Sequence, residues 1–338
     1  MENNGNRSKG QNSDVQVWIN KIKLDKEDKG DRKGYTSSSE YCIKEGYVAI
    51  GYSVRKYPLD WEIYKEKVKE KSGKNKFQGK FKNDLENVII PFHDLVKKND
   101  LCWARTEDRN YWLGKITDGI WRYIDGTGFD IHNVKKCNWI KIGEEIDNIP
   151  LEVIKSLGPG KKKYMIQAEE KETKILSKYL WSKNNGENLS KYNLELKGMD
   201  ISKLISTYDY EDIIGIYLQK KCDYYIIPST RGPNTPKYEY EFVKEDNGKT
   251  KRAFIQVKTG KSGINLKDYT DKNEYYLFCE GSHYYTDKKE LNNTELDEFL
   301  KENKNFHILN RDELIKFIYD NMGILPERVT NLLNLCAK

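Results

Sequence analysis

The sequence has no apolar run approaching the ~20 residues that a membrane-crossing helix requires, so no membrane helix is expected. Its first stretch, MENNGNRSKGQNSD, has no apolar core of the kind a secretory signal carries, and residues 1–14 read as a disordered tail. Cysteine is sparse. Cys42, Cys102, Cys137, Cys222, Cys279 and Cys336 are far apart and form no CxxC pair, so a structural zinc site is not expected. Several sit inside apolar runs, as in YYLFCEG, and read as buried thiols of a reducing, cytoplasmic compartment. A large excess of one charge is also missing. The 59 basic residues outnumber 53 acidic ones to give a formal +6, which permits nucleic acid as a partner without demanding it.

What is present suggests two halves of different build. At 338 residues the chain can bury two cores. Trp18, Trp61, Trp103, Trp112, Trp121 and Trp139 all precede residue 150, and only Trp181 follows. The first half holds short aromatic and β-branched runs (YVAIGYSV, LCWART, YWLGKI, WRYI) separated by DRN, TDG and DGTG turn signals. Residues 15–150 are therefore expected to form a smaller, mainly β domain resembling a barrel. Residues 61–82 begin helically and become a lysine-rich loop. Residues 151–205 contain SLGPGKKKY and then a helix with Ile175, Leu176, Tyr179 and Leu180 at helical spacing, and read as a helical linker.

Residues 206–338 read as an α/β (α+β) domain: a helix capped near Asp209, a strand in DYYIIPST, a hairpin, a strand in YYLFCEG, and helices to the end. The hairpin, YEYEFVKEDNGKTKRAFIQVKTG, carries the chemistry. Side chains two apart on a strand share a face. Glu239 and Glu241 are thus expected together, opposite Tyr238, Tyr240 and Phe242, and Gln256 and Lys258 together, opposite Ile255 and Val257. If the strands close in register, carboxylates, an amide and an ammonium meet on one surface, with Glu211 on the preceding helix able to reach it. Carboxyl and amide oxygens suit a hard cation such as Mg²⁺, and a lysine beside it suits phosphodiester hydrolysis. A solvated, salt-bridged hairpin would show the same spacing.

Tyr210-Glu211-Asp212 opening the helix, Tyr240-Glu241-Phe242, and Ile255-Gln256-Val257-Lys258 together resemble the PD-(D/E)xK nuclease superfamily, in its Mrr-like restriction endonuclease branch with Gln-x-Lys. The resemblance covers roughly residues 205–320. It implies a restriction-endonuclease-like mixed sheet flanked by helices and cleavage of DNA with Mg²⁺ or Mn²⁺. It assigns catalysis to Lys258, Glu241, Gln256 and Glu211, and metal binding to Glu241, Gln256 and Glu239, the YEYE pair leaving Glu239 and Glu241 as alternatives. Glu stands where the family usually has Asp, and Gln256 removes a negative charge.

In the loop PSTRGPNTP, Ser229, Thr230 and Arg231 are expected either to contact a phosphate or simply to form a proline-stiffened turn. In the first half, Trp103, Trp112 and Trp121 with Arg105 and Arg109 are either core residues or a base-stacking surface of a substrate reader. That half loosely resembles the modified-base-reading modules of the PUA-like group. The combined expectation is a cytoplasmic endonuclease of restriction or antiviral defence, acting on modified or foreign DNA as a homodimer. A catalytically inactive nucleic-acid-binding protein on a nuclease fold, or an RNA-directed nuclease, is the alternative.

Overall fold

Short strands bounded by turn residues build the first of two units, Met1–Leu196; the second is Lys197–Lys338. The structure, a computed structural model, describes residues 14–22, 34–54, 60–73, 84–144, 147–158, 165–228, 240–260, 262–269 and 271–337. The first unit runs β1 (Val17–Asn20), α1 (Ser38–Lys44), β2 (Tyr47–Ile50), α2 (Trp61–Gly73), a π-helical turn (Leu85–Ile89) into α3 (Ile90–Asp94), β3 (Leu101–Arg105), β4 (Tyr111–Ile116), β5 (Arg122–Tyr123) and β6 (Asn133–Gly143). It is completed by α4 (Leu151–Leu157), β7 (Met165–Gln167), α5 (Lys171–Asn184) and α6 (Ser190–Lys197).

Its strands lie in the order β2-β6-β4-β3-β1-β7, with β5 on β6. Among the described residues only β1 and β3 run parallel, Trp18 opposite Cys102. The β3–β4 hairpin turns at TEDRN, where Asn110 and Thr106 both bond the Asp108 carboxylate and Arg109 takes φ +65°. Strand β6 serves two sets of partners, residues 133–136 pairing with β2 and β5 and 137–143 with β4, so the sheet turns along it. Gly114 of β4 permits that packing. A Cβ there would lie 2.4 Å from Cys137 Sγ and 2.7 Å from the Trp139 ring, closer than atoms can sit.

Two expectations change here. The unit is β-rich, but among the described residues the path from β2 to β7 is open and not a closed barrel. Residues 151–196, expected as linker, count with the first unit: β7 pairs with β1, and Ser177 of α5 accepts the Trp103 indole N–H at 2.8 Å.

The second unit opens with α7 (Thr207–Cys222). Its cap is Ser206, whose hydroxyl accepts from Asp209 N while Asp209 Oδ2 accepts from Ser206 N; Asp209 is the third residue of this capping box and not the cap itself. Then come β8 (Tyr225–Ile227), β9 (Tyr240–Asp246), β10 (Lys249–Lys258), β11 (Ile264–Asn265), β12 (Glu274–Cys279), β13 (Tyr284–Thr286), β14 (Lys289–Glu290), α8 (Asn293–Glu302), β15 (Phe306–Ile308), α9 (Arg311–Asp320) and α10 (Glu327–Ala337). The main sheet is mixed, in the order β15-β12-β10-β9-β8, antiparallel across β8-β9-β10 and parallel from β10 onward. The β9–β10 turn is Asn247-Gly248, both at positive φ (+53° and +73°), the two-residue geometry that matches strand twist.

Helices cover both faces. Phe242 and Phe278 lie on the α7 side, where Tyr210 packs against Phe278 with ring centroids 4.6 Å apart. On the other face Phe254, Tyr275, Leu277 and Cys279 join Tyr269 and Phe306, with Leu296 and Phe299 of α8 against them. Among the described residues no helix is long and apolar enough to cross a membrane.

Candidate active site

The β9–β10 ladder pairs Ile255 with Tyr240 and Phe254 with Glu241. Residues opposite one another in a ladder share a face, so Glu241 lies on the same face as Phe254, Gln256 and Lys258. The three are not equivalent there. Gln256 is only 3% exposed; its Oε1 accepts from the Tyr269 hydroxyl at 3.4 Å. Glu241 is ion-paired with Arg252, whose own side chain is half exposed. Lys258 is half-buried at the C-terminal end of β10, level with Cys279 on β12.

The first turn of α7 meets that strand end. Thr207 Oγ1 lies 2.6 Å from Thr259 Oγ1, the residue after Lys258. Glu211 is one helical turn further on, so it projects from the same side of α7 as Thr207, and it is buried at 5% exposure. Its neighbour Asp212 is the residue that reaches the acidic strand, accepting the Tyr240 hydroxyl at 2.8 Å. Just past β12, Glu280 N donates to Lys258 O at 2.9 Å, and Glu280 Oε2 accepts from Gly260 N at 2.8 Å. Asp209 also holds Arg328 of α10, whose guanidinium donates as well to Leu204 O at 3.1 Å. This buried ion pair fixes the start of α7.

The ends of β10 and β12 and the start of α7 therefore meet here, but on two faces of the sheet. Thr207, Thr259 and Glu211 belong to the α7 side, while Lys258 shares the opposite face with Gln256 and Glu241, so Glu211 does not join that surface as the sequence led one to expect. An ammonium at a strand end suits a phosphate oxygen, and carboxylates suit a water or a cation. Among the described residues no group of three or more His, Cys, Asp or Glu side chains is placed to share a metal ion. Mg²⁺ commonly keeps several waters and binds through one or two carboxylates. Glu241 is a carboxylate of that kind, paired with the half-exposed Arg252, but it stands level with Phe254, four residues or ~13 Å along β10 from Lys258. The Gln256 carbonyl is turned to Tyr269.

Glu239, Ser229, Thr230 and Arg231 lie outside the described residues. Of the two readings of Trp103 the structure supports core over a stacking surface: it is fully buried with its N–H bonded to Ser177. Arg105 is half-buried, its guanidinium carbon 5.2 Å from the centroid of the Tyr111 ring. Trp112 is half-buried on β4, and Arg109 is exposed in the hairpin turn. Trp121 donates to Asn133 Oδ1 at 3.0 Å and joins an aromatic cluster in which Trp61 stacks on His93 at 3.9 Å.

Sequence reasoning passed over Thr207, Thr259, Glu280, Arg252 and Tyr269. Alternation could have flagged Arg252, which shares the parity of Gln256 and Lys258. The others join the site through chain crossings that no local spacing records. No family model, no curated protein and no solved structure matches this chain.

Proposed function

We propose that the second unit hydrolyses phosphodiester bonds in DNA, as an endonuclease of the restriction-endonuclease-like, PD-(D/E)xK kind with a Gln-x-Lys strand, serving defence against modified or foreign DNA. The observation that carries this reading is Lys258. It ends the central strand on the face of Glu241, at the point where Thr207 ties the start of the Glu211 helix to Thr259. The order of a helix, three antiparallel strands and a parallel fourth supports the same reading.

In this mechanism the Lys258 ammonium orients the attacking water and offsets charge growing on the phosphate oxygens. Glu280, whose amide bonds Lys258 O and whose carboxylate accepts from Gly260 N at the same strand end, accepts the proton of the water, while Thr207 and Thr259 hold the α7 side of that end. Mg²⁺ or Mn²⁺, if held by Glu241 or by its alternative Glu239, would supply polarisation of the phosphate. The first unit selects the substrate, and pairing of two copies would cut both strands.

The test incubates the full chain with supercoiled plasmid, linear DNA and RNA, with Mg²⁺, with Mn²⁺ and with EDTA. Metal-dependent nicking of DNA supports the reading; cleavage of RNA alone would reassign the substrate, and no cleavage of any nucleic acid would refute it. A second reading, binding without cleavage, is favoured by Gln256 lying buried under Tyr269 and Glu241 lying in an ion pair. Calorimetric titration separates the two, since a binding-only protein takes up no Mg²⁺ and keeps its DNA affinity in Glu241→Ala.

A further inference from the structure

A cavity of about 400 Å³ opens in the first unit, where α5 and α6 meet the start of β3 and the end of β4. Its walls carry three ammonium groups, Lys115, Lys178 and Lys191, with the rings of Trp181 and Tyr192 beside them. Lys178 and Trp181 stand three residues apart on α5 and so face the same way. Lys115 reaches over from β4, its Nζ 5.7 Å from the centroid of the Trp181 ring. Lys191 and Tyr192 come from α6.

The charges do not balance. Asp14 is bound by Lys178 at 2.8 Å, and that lysine, with Lys191 and Lys174 nearby, holds the Asp14 carboxyl below its ordinary range. Glu187, the other carboxylate of the wall, accepts the Ser182 hydroxyl at 2.8 Å. Lys115 and Lys191 have no carboxylate partner among the described residues. Three converging ammonium groups against two carboxylates, one of them already paired with Lys178, leave a positive excess at Lys115 and Lys191 that suits an anion, and aromatic rings alongside suit an anion joined to a planar ring. The volume lies within the ~300–1,000 Å³ of small-molecule sites and exceeds what a bare phosphate fills.

We propose that this pocket binds a nucleoside 5′-monophosphate moiety, with the phosphate on Lys115, Lys178 and Lys191 and the base against Tyr192 and Trp181. The moiety has two sources, a free nucleotide or the phosphorylated 5′ end of a strand. The assignment does not depend on the second unit cleaving anything.

The test is isothermal calorimetry on the full chain with adenosine 5′-monophosphate, adenosine, and one oligonucleotide carrying either a 5′-phosphate or a 5′-hydroxyl. The variants are Lys115→Ala and Lys191→Ala; Lys191 is exposed, so its removal leaves the fold intact. Phosphate-dependent binding is expected, weakened about tenfold by each substitution. Binding of the mononucleotide alone assigns the pocket to the free nucleotide. A preference for the phosphorylated strand that both variants lose assigns it to the strand end. Equal binding of adenosine and its monophosphate, absence of binding in both arms, or phosphate-dependent binding unchanged in both variants would overturn the proposal.

Discussion

The two units bury charge in opposite ways. In the first, Lys135 is wholly buried on β6 and donates to two neutral carbonyls, His93 O at 2.8 Å and Val96 O at 2.6 Å, at the end of α3. In the second, Asp209 and Arg328 are buried as an ion pair at the start of α7. Burying the lone ammonium opposes ionisation, and with help from nearby Lys97 it pushes Lys135 down to about 8. The ion pair instead keeps both charges and ties two helices together. The first device holds a helix end against a core sheet; the second sets the helix turn that carries Thr207 and Glu211 beside the end of the central strand. Buried charge supports the fold in one unit and positions the candidate site in the other.

Removing one partner from each device separates them. Arg328→Met strands the Asp209 carboxylate and is expected to cost the second unit about 3–5 kcal/mol. Differential scanning calorimetry would show its transition fall while the transition of the first unit stays in place. Lys135→Met leaves two carbonyls without a donor and is expected to cost the first unit about 1–3 kcal/mol. It also changes the pH response. With Lys135 at about 8 when folded and an ordinary value of 10.5, the unfolded chain binds more protons between those values. The wild-type first unit therefore gains stability as pH rises through that window, and the variant lacks that gain. Melting curves of both proteins from pH 7 to 11 check this, and parallel curves would contradict it.

Arg252→Ala gives the smallest expected change in stability, under about 1 kcal/mol, because the Glu241–Arg252 pair is partly solvated. Its effect on metal should be larger. With Arg252 gone, Glu241 loses the guanidinium that competes with a metal cation, and half-saturating Mg²⁺ in a cleavage assay should fall. An unchanged Mg²⁺ requirement would remove Glu241 from the metal site.

Legibility differed between the units for physical reasons. The β9–β10 hairpin was readable because strand side chains repeat every two residues and Asn247-Gly248 sits between the runs. The last helices were readable from their apolar spacing. Strand β6 was not singled out, since NVKKCNWIKIG mixes charged and apolar positions, and the burial of Lys135 depends on carbonyls about forty residues away. The apolar face of α5 was visible, but the surface that receives it, including Trp103, is not encoded locally. At the site, shared faces were legible and burial was not. Gln256 is covered by Tyr269, and the helix start is placed by Thr259 and Arg328, all joined by tertiary packing.

The most direct test of the central claim compares single-turnover cleavage of plasmid DNA by the wild-type chain and Lys258→Ala, at saturating Mg²⁺ and with DNA affinity measured alongside. The Lys258 assignment predicts a rate lower by about 10²–10³-fold with the affinity nearly unchanged. Equal rates in the two proteins would contradict it.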